Sequence, residues 1–246
     1  ISQLGKDAGA YEAEKSAIAA LKKKDGKAAL NELDKAIAIQ PREASFWELR
    51  GHAWKLNDNS SNAEKAFTTA IDKNPQHFSP YLARGILRHE RGQKDLGLAD
   101  IKRSYALLPT PAASYYLGQS AMASRQYQQA AGYFKQASAA GGELGALSQK
   151  QLIAVRLELE PQSFLSARLS LTEEGYLLVI TKNNSPVSMT GVQLQLSISG
   201  TGQRLMLPQI LRAGRELRLS TGIGPITDST EASKYRVRVV SARALK

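Results

Sequence analysis

Residues 41–75 read PREASFWELRGHAWKLNDNSSNAEKAFTTAIDKNP, and the small residues and prolines of this stretch recur on both sides of it at a fixed interval. Pro41, Pro75 and Pro109 are 34 residues apart, and Gly51, Gly85 and Gly118 follow at intervals of 34 and 33. Ala29, Ala63, Gly97 and Ala130 keep the same rhythm, as do Ala36, Ala70, Ser104 and Ala137. Self-similarity at such a period is the signature of a stacked array in which each unit is one supersecondary element. Within each unit the pattern predicts two amphipathic helices. The small residues mark where they cross, because a larger side chain would hold the backbones apart. Leu33, Phe67, Ile101 and Phe134 occupy one equivalent large apolar position, a plug that the next hairpin must cover.

Turn chemistry agrees. Asp58-Asn-Ser-Ser supplies a turn and a helix N-cap, Asp25-Gly-Lys and Arg91-Gly-Gln supply tight interhelical turns, and Gly141-Gly142 stops the last hairpin where proline is missing. The units run 10–43, 44–77, 78–110 and 111–143, the first being degenerate because Ala17 replaces its glycine. Glu143 to Leu159 continues with Leu144, Leu147, Leu152, Val155 and Leu159 near helical spacing, which predicts a capping helix.

After Pro161 the apolar period changes from about 3.6 to about 2, the mark of strands. Alternation is clear in Phe164–Leu171, Tyr176–Thr181, Val192–Ile198, Leu205–Leu207, Leu217–Leu219 and Tyr235–Val239. Glu174-Gly175, Asn183-Asn-Ser-Pro186, Ser199-Gly-Thr-Gly202 and Ala213-Gly214 separate the runs. The fold class expected is therefore a multidomain α + β chain. An α-solenoid of about four hairpins with its capping helix spans residues 1–160, and an all-β immunoglobulin-like sandwich spans 161–246.

Composition limits the function. The net charge of +11 is spread along the chain, +5 over residues 1–160 and +6 over 161–246, rather than gathered in one arm, so nucleic acid is not the expected partner. Arg212, Arg215, Arg218, Arg236, Arg238 and Arg243 stand at alternate or nearly alternate positions, which suits either a solvated face that discourages edge pairing or a face that meets anionic polymer or a membrane surface. Cysteine is absent, which removes disulfides, thiolate ligands and cysteine nucleophiles. No apolar run reaches the roughly eighteen residues of a membrane span. The chain starts at Ile1 without a signal-peptide layout, and we expect it to be a processed or truncated product.

A search for chemistry finds no catalytic set, no metal set and no cofactor motif. His89-Glu90 opens like a zinc-protease helix, but the position one turn on is Gln93 where a second histidine ligand is needed. His52, His77 and His89 are the only histidines. Gly200-Thr-Gly202 and Gly222-Ile-Gly224 lack the Lys-Ser that follows a phosphate loop.

The repeat resembles the tetratricopeptide family, whose pattern asks for a large residue, Leu-Gly, a helix-crossing Ala, an aromatic, a second Ala and a terminal Pro. Trp47 to Gly51, Ala63, Phe67, Ala70 and Pro75 match it, with Arg50 in place of the Leu, repeated at Arg84 and restored at Leu117. Each arginine must find a partner or snorkel, and a neighbouring carboxylate such as Glu48 or Asp72 is the expected one. The resemblance implies a protein or peptide partner in a concave groove lined by the first helix of every unit. Its usual groove positions fall on Tyr11, Glu14, Ile18, Leu21, Ser45, Glu48, His52, Lys55, Ser79, Leu82, Ile86, His89, Ala112, Tyr115, Gln119 and Met122. That set lacks the Lys, Asn and Arg array with which chaperone-type members hold a terminal carboxylate, so an apolar helix or extended segment fits better.

Phe46 to Gly51, Asn74 to Gly85, Ala99 to Thr110 and Tyr116 to Gly118 further resemble the C-terminal region of bacterial envelope zinc metallopeptidases with tetratricopeptide tails, the family of the outer-membrane assembly-enhancing protease. This likeness implies a non-catalytic docking tail in the periplasm. The H-E-x-x-H helix would then lie upstream of Ile1, and the protease domain of the same polypeptide would be a further partner. The alternative is a free-standing scaffold of an envelope complex.

Overall fold

The computed structural model describes residues 3–198 and 201–245. Contacts divide the chain into two compact units, Ile1–Leu117 and Gly118–Lys246.

The first unit is a run of antiparallel helices: α1 (Gln3–Lys22), α2 (Gly26–Ile39), α3 (Ala44–Leu56), α4 (Ser60–Lys73), α5 (Phe78–Glu90), α6 (Lys94–Leu107) and the beginning of α7 (Pro111–Ala123). Each helix forms for local reasons. Asp25 and Asn59 cap α2 and α4 by accepting the amides of Ala28 at 2.9 Å and Asn62 at 3.0 Å. The prolines at 41, 75 and 109 follow the helix ends, as the array pattern requires. The interhelical turn closes through one left-handed residue per unit, Lys24 (φ 59°), Asp58 (φ 55°) and Gly92 (φ 79°), with Arg125 (φ 58°) doing the same in the second unit.

The small-residue series has the steric role expected of it. A methyl group added to Gly51 would overlap the ring of Phe67, one at Gly85 would sit 2.8 Å from Ile101 Cγ1, and one at Gly118 would sit 2.8 Å from Phe134 Cε1. Each glycine therefore seats its own unit's plug, and Leu33, Phe67, Ile101 and Phe134 are all fully or almost fully buried. Ala29, Ala36, Ala63, Ala70, Ala130 and Ala137 are likewise inaccessible, so neither helix of a hairpin can carry a larger residue there.

Among the described residues, the second unit holds the rest of α7, then α8 (Tyr127–Ser138), α9 (Gly142–Leu159), a 3-10 turn at Pro161–Ser163, and six strands. These are β1 (Leu165–Leu171), β2 (Leu177–Asn183), β3 (Met189–Ile198), β4 (Thr201–Met206), β5 (Glu216–Ser220) and β6 (Tyr235–Ala244), with a short helix α10 (Ser229–Ala232) before the last. They form two antiparallel three-stranded sheets, ordered β1-β2-β5 and β4-β3-β6. Leu165 and Val179 of the first sheet share one core with Met189, Val192 and Leu194 of the second. Leu157 of α9 is buried in that same core, with Ile153 against it, so the helix predicted to cap the array also packs under the strands.

The connection from β2 to β3 is organised by Asn183, which is wholly buried. Its Nδ2 donates to the carbonyls of Val187 (2.8 Å) and Leu211 (3.1 Å), and its Oδ1 accepts from the backbone amide (2.9 Å) and hydroxyl (2.8 Å) of Ser185. A buried amide is tolerated here because its donors and acceptor are satisfied.

Candidate functional site

The first helices of successive hairpins, α1, α3, α5 and the start of α7, touch one another through the predicted groove residues. Ser45 Oγ donates to Glu14 Oε1 at 3.3 Å, and one unit along Ser79 Oγ donates to Glu48 Oε1. The same serine–glutamate step of 31 residues thus joins α3 to α1 and α5 to α3. It stops at the third unit, where the equivalent positions are Leu82 and Ala112. Lys55 Nζ ties α3 to α5 through Glu90 Oε2 at 3.0 Å, and His89 stands edge-on to Tyr116 with centroids 6.2 Å apart.

Glu48 is the hub of this face. Its side chain is only 13% exposed, yet His77 Nδ1 approaches one oxygen at 3.3 Å and His52 Nε2 the other at 3.9 Å. Burial alone would raise its carboxyl, but interactions with His52 and Ser79 and the charges of His77 and His52 outweigh that and hold the group below its ordinary value. The Ser79 hydroxyl donates its hydrogen bond to the same carboxylate. Tyr116 moves the other way: burial, then Glu90 and Tyr115, push its hydroxyl up.

On either side of the hub the face is apolar. Tyr11 is 63% exposed and Ile18 36% exposed toward the chain start, with Leu21 partly covered. Leu82, Ile86 and Tyr115 are partly exposed toward α7. Glu14, Glu48 and Glu90 lie along these helices, and Lys55 pairs with Glu90. Of the predicted groove residues, the structure joins Glu14 to Ser45 and Glu48 to Ser79 and His52. Gln119 and Met122 belong to the second unit, where Met122 lines a cleft of about 380 Å³ with Lys150, Ala154, Glu158, Arg243 and Leu245. His77 joins the site although it was not on the groove register, because it sits just before α5 rather than within a helix.

Arg50 and Arg84 do pair with carboxylates, but not with Glu48 or Asp72. Arg50 Nη1 meets Asp34 Oδ1 at 2.7 Å and its guanidinium lies 5.6 Å over Trp47. Arg84 grips Asp100 with two bonds of 2.8 Å and reaches Thr68 at 3.0 Å. The reason is geometric: position 50 or 84 points at the second helices, whereas Glu48 turns to the groove and Asp72 stays exposed. Arg88 adds 2.9 Å to Asp100 and 2.8 Å to Glu64, and Arg91 adds 2.7 Å to Glu64, giving one ionic network across α4, α5 and α6. Among the described residues, no group of three or more His, Cys, Asp or Glu could hold a metal ion.

No family model matches the chain, and no curated protein matches it. Solved structures do. The crystal structure of the APC/C hetero-tetramer Cut9–Hcn1 aligns over 63% of this chain and 31% of its own, at 21% identity and TM-score 0.55. The MamA RS-1 ArsTM double mutant aligns over 63% of this chain and 87% of its own, at 16% identity and TM-score 0.51. A thermophilic TPR protein of Thermus thermophilus is similar over 56% of this chain and 78% of its own, at 19% identity and TM-score 0.48. At these identities the likeness is one of fold, and the helical array is a tetratricopeptide fold.

Proposed function

We propose that the chain is a protein-interaction module whose first-helix face takes an extended or helical segment carrying a basic residue between apolar ones. The observation that carries this is Glu48, a carboxylate mostly withdrawn from water yet kept ionised by neutral or weakly basic donors, with apolar side chains on both sides of it. A guanidinium or ammonium arriving there would add a permanent positive charge to the donors that already hold Glu48. Tyr11, Ile18, Leu82 and Ile86 would cover the flanking apolar side chains. Such a mixture of aromatic and aliphatic anchors around one charged contact is what binding hot spots use.

The resemblance to envelope zinc metallopeptidases supplies the setting. In that reading the module is a periplasmic docking tail that brings envelope proteins, or the protease domain of its own polypeptide, to a zinc site carried upstream. The two sheets of the second unit we read as the immunoglobulin-like sandwich expected from their strand pattern. Two measurements test the reading. Capture of envelope proteins on the immobilised chain should fall at least tenfold for Glu48→Arg and for Leu82→Glu and stay unchanged for Lys65→Glu on the second helices; equal capture by all of them would refute the groove. The upstream reading frame should encode H-E-x-x-H; a frame without it leaves the groove reading standing and makes the chain a free-standing scaffold.

A further inference from the structure

The six arginines singled out by their spacing divide once the strands are paired. Arg218 falls on sheet β1-β2-β5, where Glu216 lies 3.5 Å from it and 3.7 Å from Arg168, so that outer face is of mixed charge. Arg212 and Arg215 fall in the turn before β5, and Arg243 lines the cleft beside α9. Arg236 and Arg238 stand on β6, as does Arg243 near its end opposite Thr190, and Arg204, outside the alternating run read from the sequence, stands on β4 of the same sheet.

Register places Arg204, Arg236 and Arg238 on one face. Gln195 on the central strand is opposite both Arg204 and Arg238, Ser197 is opposite both Gly202 and Arg236, and Gln193 is opposite both Met206 and Ser241. With strands about 4.8 Å apart, Arg204 and Arg238 flank Gln195 some 10 Å from each other. Arg238 Nε and Nη2 donate to Gln195 Oε1 at 3.0 and 2.6 Å, and Arg236 Nη1 donates to the carbonyls of Ser233 and Tyr235. All of these acceptors are neutral. None of the three arginines forms an ion pair with a described residue, and β3, β4 and β6 contain no Asp or Glu at all. The acidic residues after Pro161 are Glu173, Glu174, Glu216, Asp228 and Glu231, every one of them off this sheet. Met206, on the same outward register as Arg204, is 62% exposed.

We propose that this face of sheet β4-β3-β6 docks on an anionic phospholipid surface. Uncompensated guanidinium groups are drawn to the negative potential of anionic headgroups, and an exposed thioether beside them can enter the headgroup boundary. Two features favour lipid over nucleic acid. The outward positions carry no aromatic ring on which a base could stack, since Tyr235 packs inward with Leu196 and Val237. An unpaired apolar side chain on the face is of use to a bilayer and of none to a phosphate backbone. No described helix is long and apolar enough to cross a membrane.

The test is vesicle cosedimentation of the full chain at low salt, on phosphatidylcholine alone and with about 30% phosphatidylglycerol. Binding is expected on the anionic vesicles only, and it should be lost at about 0.5 M salt, where exposed charges are screened. Each Arg→Gln change at 204, 236 or 238 should cost roughly fivefold and the triple variant about 100-fold, at about 1 kcal/mol per cation. Met206→Ser should cost a few-fold. Arg168→Gln/Arg218→Gln, on the other sheet, and Glu48→Gln, in the groove, should bind as the parent does, so this result stands or falls separately from the docking function. The single variants keep the test valid should the triple variant misfold. Equal binding to neutral vesicles, unchanged binding by all three single variants, or retention of single-stranded oligonucleotide or polyglutamate in preference to vesicles would overturn the proposal.

Discussion

Asp100 is the residue on which the ionic network of the helical unit depends. Its side chain is 8% exposed, and it accepts two bonds of 2.8 Å from Arg84 and one of 2.9 Å from Arg88, whose own side chains are 12% and 18% exposed. In Asp100→Ala, Arg88 keeps Glu64, but Arg84 loses its carboxylate and retains the hydroxyl of Thr68 and the ring of Tyr81. Breaking a buried pair on one side costs about 3–5 kcal/mol because the remaining charge is stranded. Arg84→Leu should cost somewhat less, since Asp100 keeps Arg88. The double variant Arg84→Leu/Asp100→Ala restores the leucine found at Leu117 and the alanine found at Ala66 one unit earlier, and should lie within about 1 kcal/mol of the parent. The coupling energy is then at least about 3 kcal/mol. Trp47 and Trp54 are the only tryptophans and both lie on α3, so urea unfolding followed by indole emission reports this unit alone. At about 2 kcal/mol per M of urea, Asp100→Ala moves the midpoint down by roughly 2 M. A double variant as unstable as the sum of the singles would refute the account, as would a loss below about 1 kcal/mol for Asp100→Ala.

Gly51→Ala should destabilise the same tryptophan-reported transition by about 1–3 kcal/mol through overlap with Phe67, and Phe67→Leu in the same chain should return part of it. Lys24→Gly should raise the midpoint, since a non-glycine residue held at φ 59° costs about 1 kcal/mol that glycine does not. Glu48 is held below its ordinary 4.5, so it contributes stability that is present above that pH and disappears as pH falls through the lower folded value. Urea midpoints measured across that acid range should show Glu48→Gln less stable above pH 4.5, with the gap to the parent closing below it. Asn183→Ala should lower the cooperative melt of the second unit by about 3 kcal/mol, because four satisfied bonds are lost inside a closed core; circular dichroism in the strand region follows it.

The array was legible because its constraint is steric and acts at one residue at a time: a crossing that admits only Gly, Ala or Ser leaves those letters at a fixed interval. The left-handed turn residues recur at the same interval, 24, 58, 92 and 125; turn chemistry marks Asp58 and Gly92, whereas Lys24 and Arg125 carry no turn signal of their own. The groove register found Glu48 and Ser79 but not their contact, which spans 31 residues, nor His77, which lies outside the helix positions that the register counts. The partners of Arg50 and Arg84 lie 16 residues away, on the second helices, a direction that spacing along one helix does not give. Strand alternation located all six strands, but β4 begins at Thr201 rather than Leu205, and the shortened reading left Arg204 out of the arginine face.

The two halves of the sequence carry nearly equal net charge, and the structure gives that charge different physical meaning in each. In the helical unit Arg50, Lys55, Arg84, Arg88 and Arg91 are all matched to carboxylates within 3.0 Å. Their charge is spent on holding helices together. On sheet β4-β3-β6 Arg236 and Arg238 donate to neutral oxygens and stay exposed to solvent. Partly buried pairs are weakly screened and exposed unpaired cations strongly so. Salt should therefore leave the helical unit's stability almost unchanged while removing whatever the sheet face attracts, and that difference separates the two surfaces in a single titration.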